Sequence, residues 1–113
     1  MRILLVEDEP LILMGIEASL EEAGHSVMAA SNADDAIKQL TSSSVDLILT
    51  DIDMPGSMDG LRLAAAVRDR WPPVKIVVMS GKRKPGSDQL PKHARFISKP
   101  FPEKELMKVI GGW

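Results

Sequence analysis

At 113 residues the chain is long enough for one core and too short for a second module, and 44% hydrophobic with 27% charged residues is ordinary for a globular domain. A formal net charge of −2 excludes the strong basic excess of a nucleic-acid binder, and the lack of cysteine excludes a disulfide framework or thiolate chemistry. The apolar N-terminal run is too short for a signal peptide, and no stretch approaches a membrane span. The expectation is a single cytoplasmic domain over residues 1–113, with no effector domain, nucleic-acid partner or membrane contact.

Ile3-Leu4-Leu5-Val6 reads as a strand covered on both faces, stopping at Glu7-Asp8-Glu9-Pro10. Asp8 or Glu9 is expected to cap a helix from Pro10 to Ala23, which Gly24 ends. His25 to Ala30 is a weaker strand, and Asn32 caps a helix through about Leu40. Val45-Asp46-Leu47-Ile48-Leu49-Thr50-Asp51-Ile52-Asp53-Met54-Pro55-Gly56 reads as a short buried strand that runs straight into a loop and leaves Asp51 at its carboxyl end.

Asp59-Gly60 opens a helix from Leu61 to about Trp71, stopped by Pro72-Pro73. Val74 to Met79 is another buried strand, ending at Ser80-Gly81. Pro85, Gly86 and Pro91 make any helix between Lys82 and His93 short or irregular. Ala94 to Ser98 is a last strand running into Lys99-Pro100, and Glu103 to Ile110 a last helix. Met14, Met28, Met79 and Met107 read as core filler, Trp71 as packing at a helix end, and Trp113 as a frayed terminus. Lys82-Arg83-Lys84 reads as a solvated face, and His25 and His93 receive no role.

Strands alternating with helices about five times predict an α/β doubly wound (βα)5 sandwich with a parallel sheet. The flavodoxin-like order 2-1-3-4-5 is adopted by analogy; its ligand-binding switch point lies between strands one and three. Glu7, Asp8, Asp51, Ser80 and Lys99 each follow an apolar strand and so converge at one edge. Three crowded carboxylates repel one another unless a cation neutralises them, and hard oxygen ligands suit Mg²⁺. Lys99 adds a positive charge and Ser80 a rotatable hydroxyl. The set suits phosphoryl transfer onto a carboxylate.

With these motifs in this order, joined by Met54-Pro55, Asp59-Gly60 and Lys99-Pro100-Phe101, the chain resembles a response-regulator receiver domain of the stand-alone kind. The resemblance implies that Asp51 is the phospho-acceptor and that Glu7 and Asp8 are metal-binding acids. It implies that Asp53 completes the Mg²⁺ shell through its backbone carbonyl, that Ser80 and Lys99 contact the phosphoryl group, and that the rotamer of Phe96 follows the state of the site. Gly81 and Pro100 take structural parts, with a Lys99–Pro100 bond that is usually cis. Implied partners are a sensor histidine kinase or phosphotransfer protein and a downstream protein of unknown identity, with the chain a monomer or weak dimer. Output would come from protein–protein interaction or from action as a phosphate sink. The domain would catalyse nothing beyond its own aspartyl phosphorylation and dephosphorylation.

Three features depart from the commonest pattern. The loop from Met54 to Gly60 is one residue longer than usual, Phe96 stands where many relatives have tyrosine, and the fourth-helix region is broken. Two other readings stay open at this point. A receiver-like module could work unphosphorylated, and Asp51-Ile52-Asp53 superficially matches the Asp-x-Asp of haloacid-dehalogenase-like phosphatases. The latter place that motif after the first strand, whereas here it follows the third.

Overall fold

The computed structural model describes residues 1–56 and 58–113. The expected lengthening of the loop between Met54 and Gly60 involves Ser57, which lies outside the described residues. Five parallel strands, β1 (Arg2–Val6), β2 (Ser26–Ala30), β3 (Leu47–Asp51), β4 (Lys75–Ser80) and β5 (Arg95–Ser98), form one sheet of order 2-1-3-4-5. The helices are α1 (Pro10–Glu22), α2 (Ala33–Ser42), α3 (Gly60–Arg70) and α4 (Glu103–Gly111).

The period of two along each strand divides the core into two layers. Leu4, Val6, Ile48, Ile76 and Val78 face α2 and α3, packing on Ala36, Leu40, Leu63, Ala64 and Val67. Ile3, Leu5, Leu47, Leu49, Val77 and Met79 face α1 and α4, packing on Ile16, Leu20, Leu106 and Ile110. Burying each large aliphatic side chain stabilises the fold by about 1.5–3 kcal/mol, which holds the central strands rigid and fixes where they end.

Local chemistry sets the helix ends. The Asn32 side chain accepts from the Asp35 N–H at 2.8 Å, and that of Asp59 from the Arg62 N–H at 2.9 Å, so α2 and α3 start where expected. No side chain of Asp8 or Glu9 caps α1; Pro10 opens it, and the Glu9 carbonyl accepts from the Leu13 N–H. Helix α2 runs two residues beyond Leu40 because the Thr41 and Ser42 hydroxyls donate back to the carbonyls of Ile37 and Lys38. Gly24 leaves α1 at a φ of 95°, a left-handed turn that closes the helix before β2.

One expected element is missing. Instead of a short or irregular fourth helix, the segment from Lys82 to His93 contains turns, bends and irregular backbone and no helix. Pro85 and Pro91 offer no N–H, and Gly86 and the left-handed His93 (φ 66°) favour turns. The Gly86 N–H donates to the Gln89 side chain and the Gln89 N–H returns to the Gly86 carbonyl. Buried Pro85 and half-buried Leu90, which packs on the α2–α3 layer, pin the segment. The described fold is therefore a (βα)5 pattern with four helices.

Two smaller expectations also change. Met14 is 61% exposed on α1, beside Leu11, so of the four methionines it is not core; Met79 is buried and Met28 and Met107 are half-buried against the core. Trp113 is not simply frayed, because the Arg95 guanidinium stacks on its ring at 4.1 Å and donates to the carbonyls of Val109 and Gly112. Trp71 does pack at the end of α3, under Arg70.

Gly60 decides how closely α3 approaches the site. A β-carbon there would overlap the Asp51 carbonyl oxygen and lie 2.7 Å from its carbon and 2.8 Å from the Ile52 Cα. Gly15, in the middle of α1, has open space around it. Gly15→Ala should therefore stabilise the domain by about 0.5–1 kcal/mol. Gly60→Ala should destabilise it by about 1–3 kcal/mol or more, the usual cost of forcing added atoms into packed surroundings. Urea unfolding of the two variants tests this; equal effects would contradict the close approach of α3 to Asp51.

Candidate functional site

The carboxyl ends of the strands bring the chemistry together. Glu7 and Asp8 follow β1, Asp51 closes β3, Ser80 closes β4 and Lys99 follows β5. Backbone bonds hold these ends in register: the Glu7 N–H donates to Ala30, the Ile52 N–H to Met79 and the Lys99 N–H to Ser80, at 2.9–3.0 Å. They line a cavity of about 330 Å³, walled by Glu7, Asp8, Asp51, Asp53, Lys82 and Lys99.

Lys99 Nζ lies 2.9 Å from Glu7 Oε1 and 3.3 Å from Asp51 Oδ2. Glu7 is 1% exposed and Asp51 5%. Burial and the neighbouring Glu7 carboxylate push the Asp51 carboxyl above its ordinary value, against the pull of Lys99. Burial pulls the Lys99 ammonium down, but its hydrogen bond to Glu7 and the charge of Asp51 outweigh this and raise it. Asp51 Oδ1 is buried and, among the described residues, has no hydrogen-bond partner. Carboxylate oxygens of Glu7, Asp8 and Asp51 lie within 4.8 Å of one another. With Lys99 charged, three carboxylates leave an excess of negative charge and an orphaned oxygen. Both fit a small hard cation.

Ser80 Oγ donates to Asp53 Oδ2 at 3.1 Å and accepts from the N–H groups of Lys82 and Arg83 at 3.2 and 3.3 Å. Asp53 thus enters the site with its side chain, a contact not expected from the sequence. Arg83, read there as part of a solvated face, also reaches in: its guanidinium lies 3.9 Å from Asp53 and 3.7 Å from Asp59. The position of Arg83 three residues past the strand-end Ser80 was the available signal, but a charge run in a loop gives no direction. Gly60 is a second residue whose part was missed, since only the backbone contact reveals it.

Phe96, opposite Val78 on β5, is half-buried against the α2–α3 layer rather than among the acids. Gly81 lies beside Lys99, where a β-carbon would make ordinary contact with its Cβ. The Lys99–Pro100 bond is cis. Pro100, Phe101, Ile12 and Ile16 line an apolar groove adjoining the acidic cavity.

A profile of the response regulator receiver domain matches residues 3–111. The response regulator receiver protein CpdR of Brucella abortus is 36% identical, the match covering 96% of this chain and 92% of that one. The sensor histidine kinase GacS of Pseudomonas protegens is 31% identical over 99% of this chain, which spans only 13% of its length. Among solved structures, the response regulator TrrA of Thermotoga maritima, in complex with Mg²⁺-BeF, superposes with a TM-score of 0.90 at 32% identity, covering 98% of this chain and 96% of that one. The receiver domain of the hybrid histidine kinase CckA gives 0.82 at 26% identity, over 99% and 97%. On its fold, its strand-end acids and these matches, the chain belongs to the response regulator receiver domain family.

Proposed function

We propose that the chain takes a phosphoryl group from a histidine kinase or phosphotransfer protein onto Asp51, and that Glu7, Asp8, Asp51 and the Asp53 backbone carbonyl hold the Mg²⁺ this needs. The observation that carries the proposal is the state of Asp51: buried at a strand end, one oxygen held by Lys99 and the other, among the described residues, without a hydrogen-bond partner. As a receiver domain the chain is a signalling module rather than a conventional enzyme.

The chemistry follows from charge. An Asp51 oxygen attacks phosphorus, the bond from phosphorus to the donor imidazole nitrogen breaks, and that nitrogen keeps the electron pair. Two anions must meet for this, so the barrier is largely electrostatic. Lys99 already holds one Asp51 oxygen and is placed to follow the charge as it moves onto the phosphoryl oxygens. A Mg²⁺ held by Glu7, Asp8, Asp51 and the Asp53 carbonyl would supply the remaining charge neutralisation. Ser80 can turn to donate to a phosphoryl oxygen, which links the chemistry to the segment after β4. Hydrolysis by water would return the Asp51 carboxylate and inorganic phosphate. The new anion biases an equilibrium between two conformations, which a downstream protein reads.

Intact mass after incubation with Mg²⁺ and acetyl phosphate should show a gain of one phosphoryl group, absent without Mg²⁺ and absent in Asp51→Asn. A gain that survives in Asp51→Asn would refute the assignment of the acceptor.

The raised carboxyl of Asp51 has a second consequence. Between its ordinary and raised values the folded chain keeps a proton that the unfolded chain has lost, so stability falls as pH rises through that window. Without metal, wild type should lose stability relative to Asp51→Asn as the pH rises through it. Saturating Mg²⁺ should remove the loss, adding about 2.7 kcal/mol at a hundredfold excess over its Kd. Thermal unfolding at acid and neutral pH, with Mg²⁺ or EDTA, measures both effects. A Mg²⁺ stabilisation as large in Asp51→Asn as in wild type would place the ion elsewhere.

A further inference from the structure

Ser80 Oγ has one proton and two lone pairs, and all are occupied in this structure. The proton goes to Asp53 and the lone pairs accept from the Lys82 and Arg83 N–H groups. The hydroxyl can therefore donate to a phosphoryl oxygen only after leaving Asp53. The other Asp53 oxygen faces the Arg83 guanidinium, which also reaches Asp59, the residue that caps α3. After β4, where a short or irregular helix was expected, Arg83 is held at two points: its backbone N–H donates to Ser80 Oγ, and its side chain reaches Asp53 and Asp59 in the β3–α3 loop.

We propose that Arg83 is a positioning residue that latches the Asp53–Ser80 pair in the resting arrangement, so that its release accompanies the turn of Ser80. This rests on the reading of Asp51 as phospho-acceptor. A phosphoryl group on Asp51 opposes the latch in two ways: it competes with Asp53 for the Ser80 proton, and its charge repels the Asp53 carboxylate. The Arg83 and Asp53 side chains are 47% and 32% exposed, so the latch is weak and easily released.

The sign of one substitution distinguishes a latch from a mere counter-charge. If Arg83 only offsets the negative site, Arg83→Gln weakens the binding of an anionic phosphoryl mimic. If it latches the resting state, the same substitution tightens that binding, by about two- to fivefold for a partly exposed pair. Titration of Mg²⁺-loaded protein with beryllofluoride measures this, with Lys84→Gln as a control that removes the same charge one residue away. Tighter binding in Arg83→Gln alone supports the latch; weaker or unchanged binding overturns it.

A second measurement needs no phosphoryl mimic. Amide hydrogen exchange at Lys82 and Arg83 should quicken in Arg83→Gln and not in Lys84→Gln, and equal protection in all three proteins overturns the latch. If wild type failed to bind beryllofluoride, the reading of Asp51 would fail while the exchange comparison still decided the latch.

Discussion

The site depends on one half-buried ammonium placed between two buried carboxylates. Lys99 lies within 3.3 Å of both Glu7 and Asp51, where each charge alone would cost several kcal/mol to desolvate. Its backbone is held by the Lys99 N–H, which donates to the Ser80 carbonyl at 2.9 Å. One ammonium cannot satisfy three acids. It leaves Asp51 Oδ1 without a hydrogen-bond partner among the described residues and its carboxyl hard to ionise.

The scaffold makes that shortfall tolerable. Strands β1, β3 and β4 are buried on both faces, so the strand ends cannot relax apart to relieve the repulsion between Glu7 and Asp51. Helix α3 is drawn against Asp51 by the lack of a side chain at Gly60, and the Gly60 N–H donates to Ile52. A single core of two layers thus stores electrostatic tension at one edge. On the proposed reading, that rigidity would carry a charge change at Asp51 along β4 to the chain beyond it.

The sequence was most legible where one physical signal dominated. Apolar runs with Pro, Gly or an Asx cap at their ends placed the strands and helices, and acids following such runs placed Glu7, Asp8 and Asp51. It was less legible where the outcome rested on competition. An acidic cap for α1 lost to Pro10, the short or irregular fourth helix gave way altogether to turns and bends, and Met14, read as core filler, ended in solvent. Least legible were Arg83 and the Asp53 side chain. Their partners lie 24 to 30 positions away in sequence, across a loop whose path no periodicity encodes.

Magnitudes limit what each part can do. Moving a two-state equilibrium nearly completely takes about 5 kcal/mol of differential interaction. A half-exposed arginine pair contributes about 0–1 kcal/mol, so Arg83 cannot be the switch. On the proposed reading, the larger share would have to come from the buried side: a new anion at Asp51, the turning of the Ser80 hydrogen bond from Asp53 to a phosphoryl oxygen, and a redirected Lys99. A full helix after β4 would add its own packing to both states. A turn segment held by Pro85, Leu90 and Arg83 adds less, so the resting state is set by a few polar contacts next to the chemistry. The short path from Asp51 to an exposed loop follows from that economy: β3 to β4 by register, β4 to Ser80, and Ser80 to the N–H groups of Lys82 and Arg83.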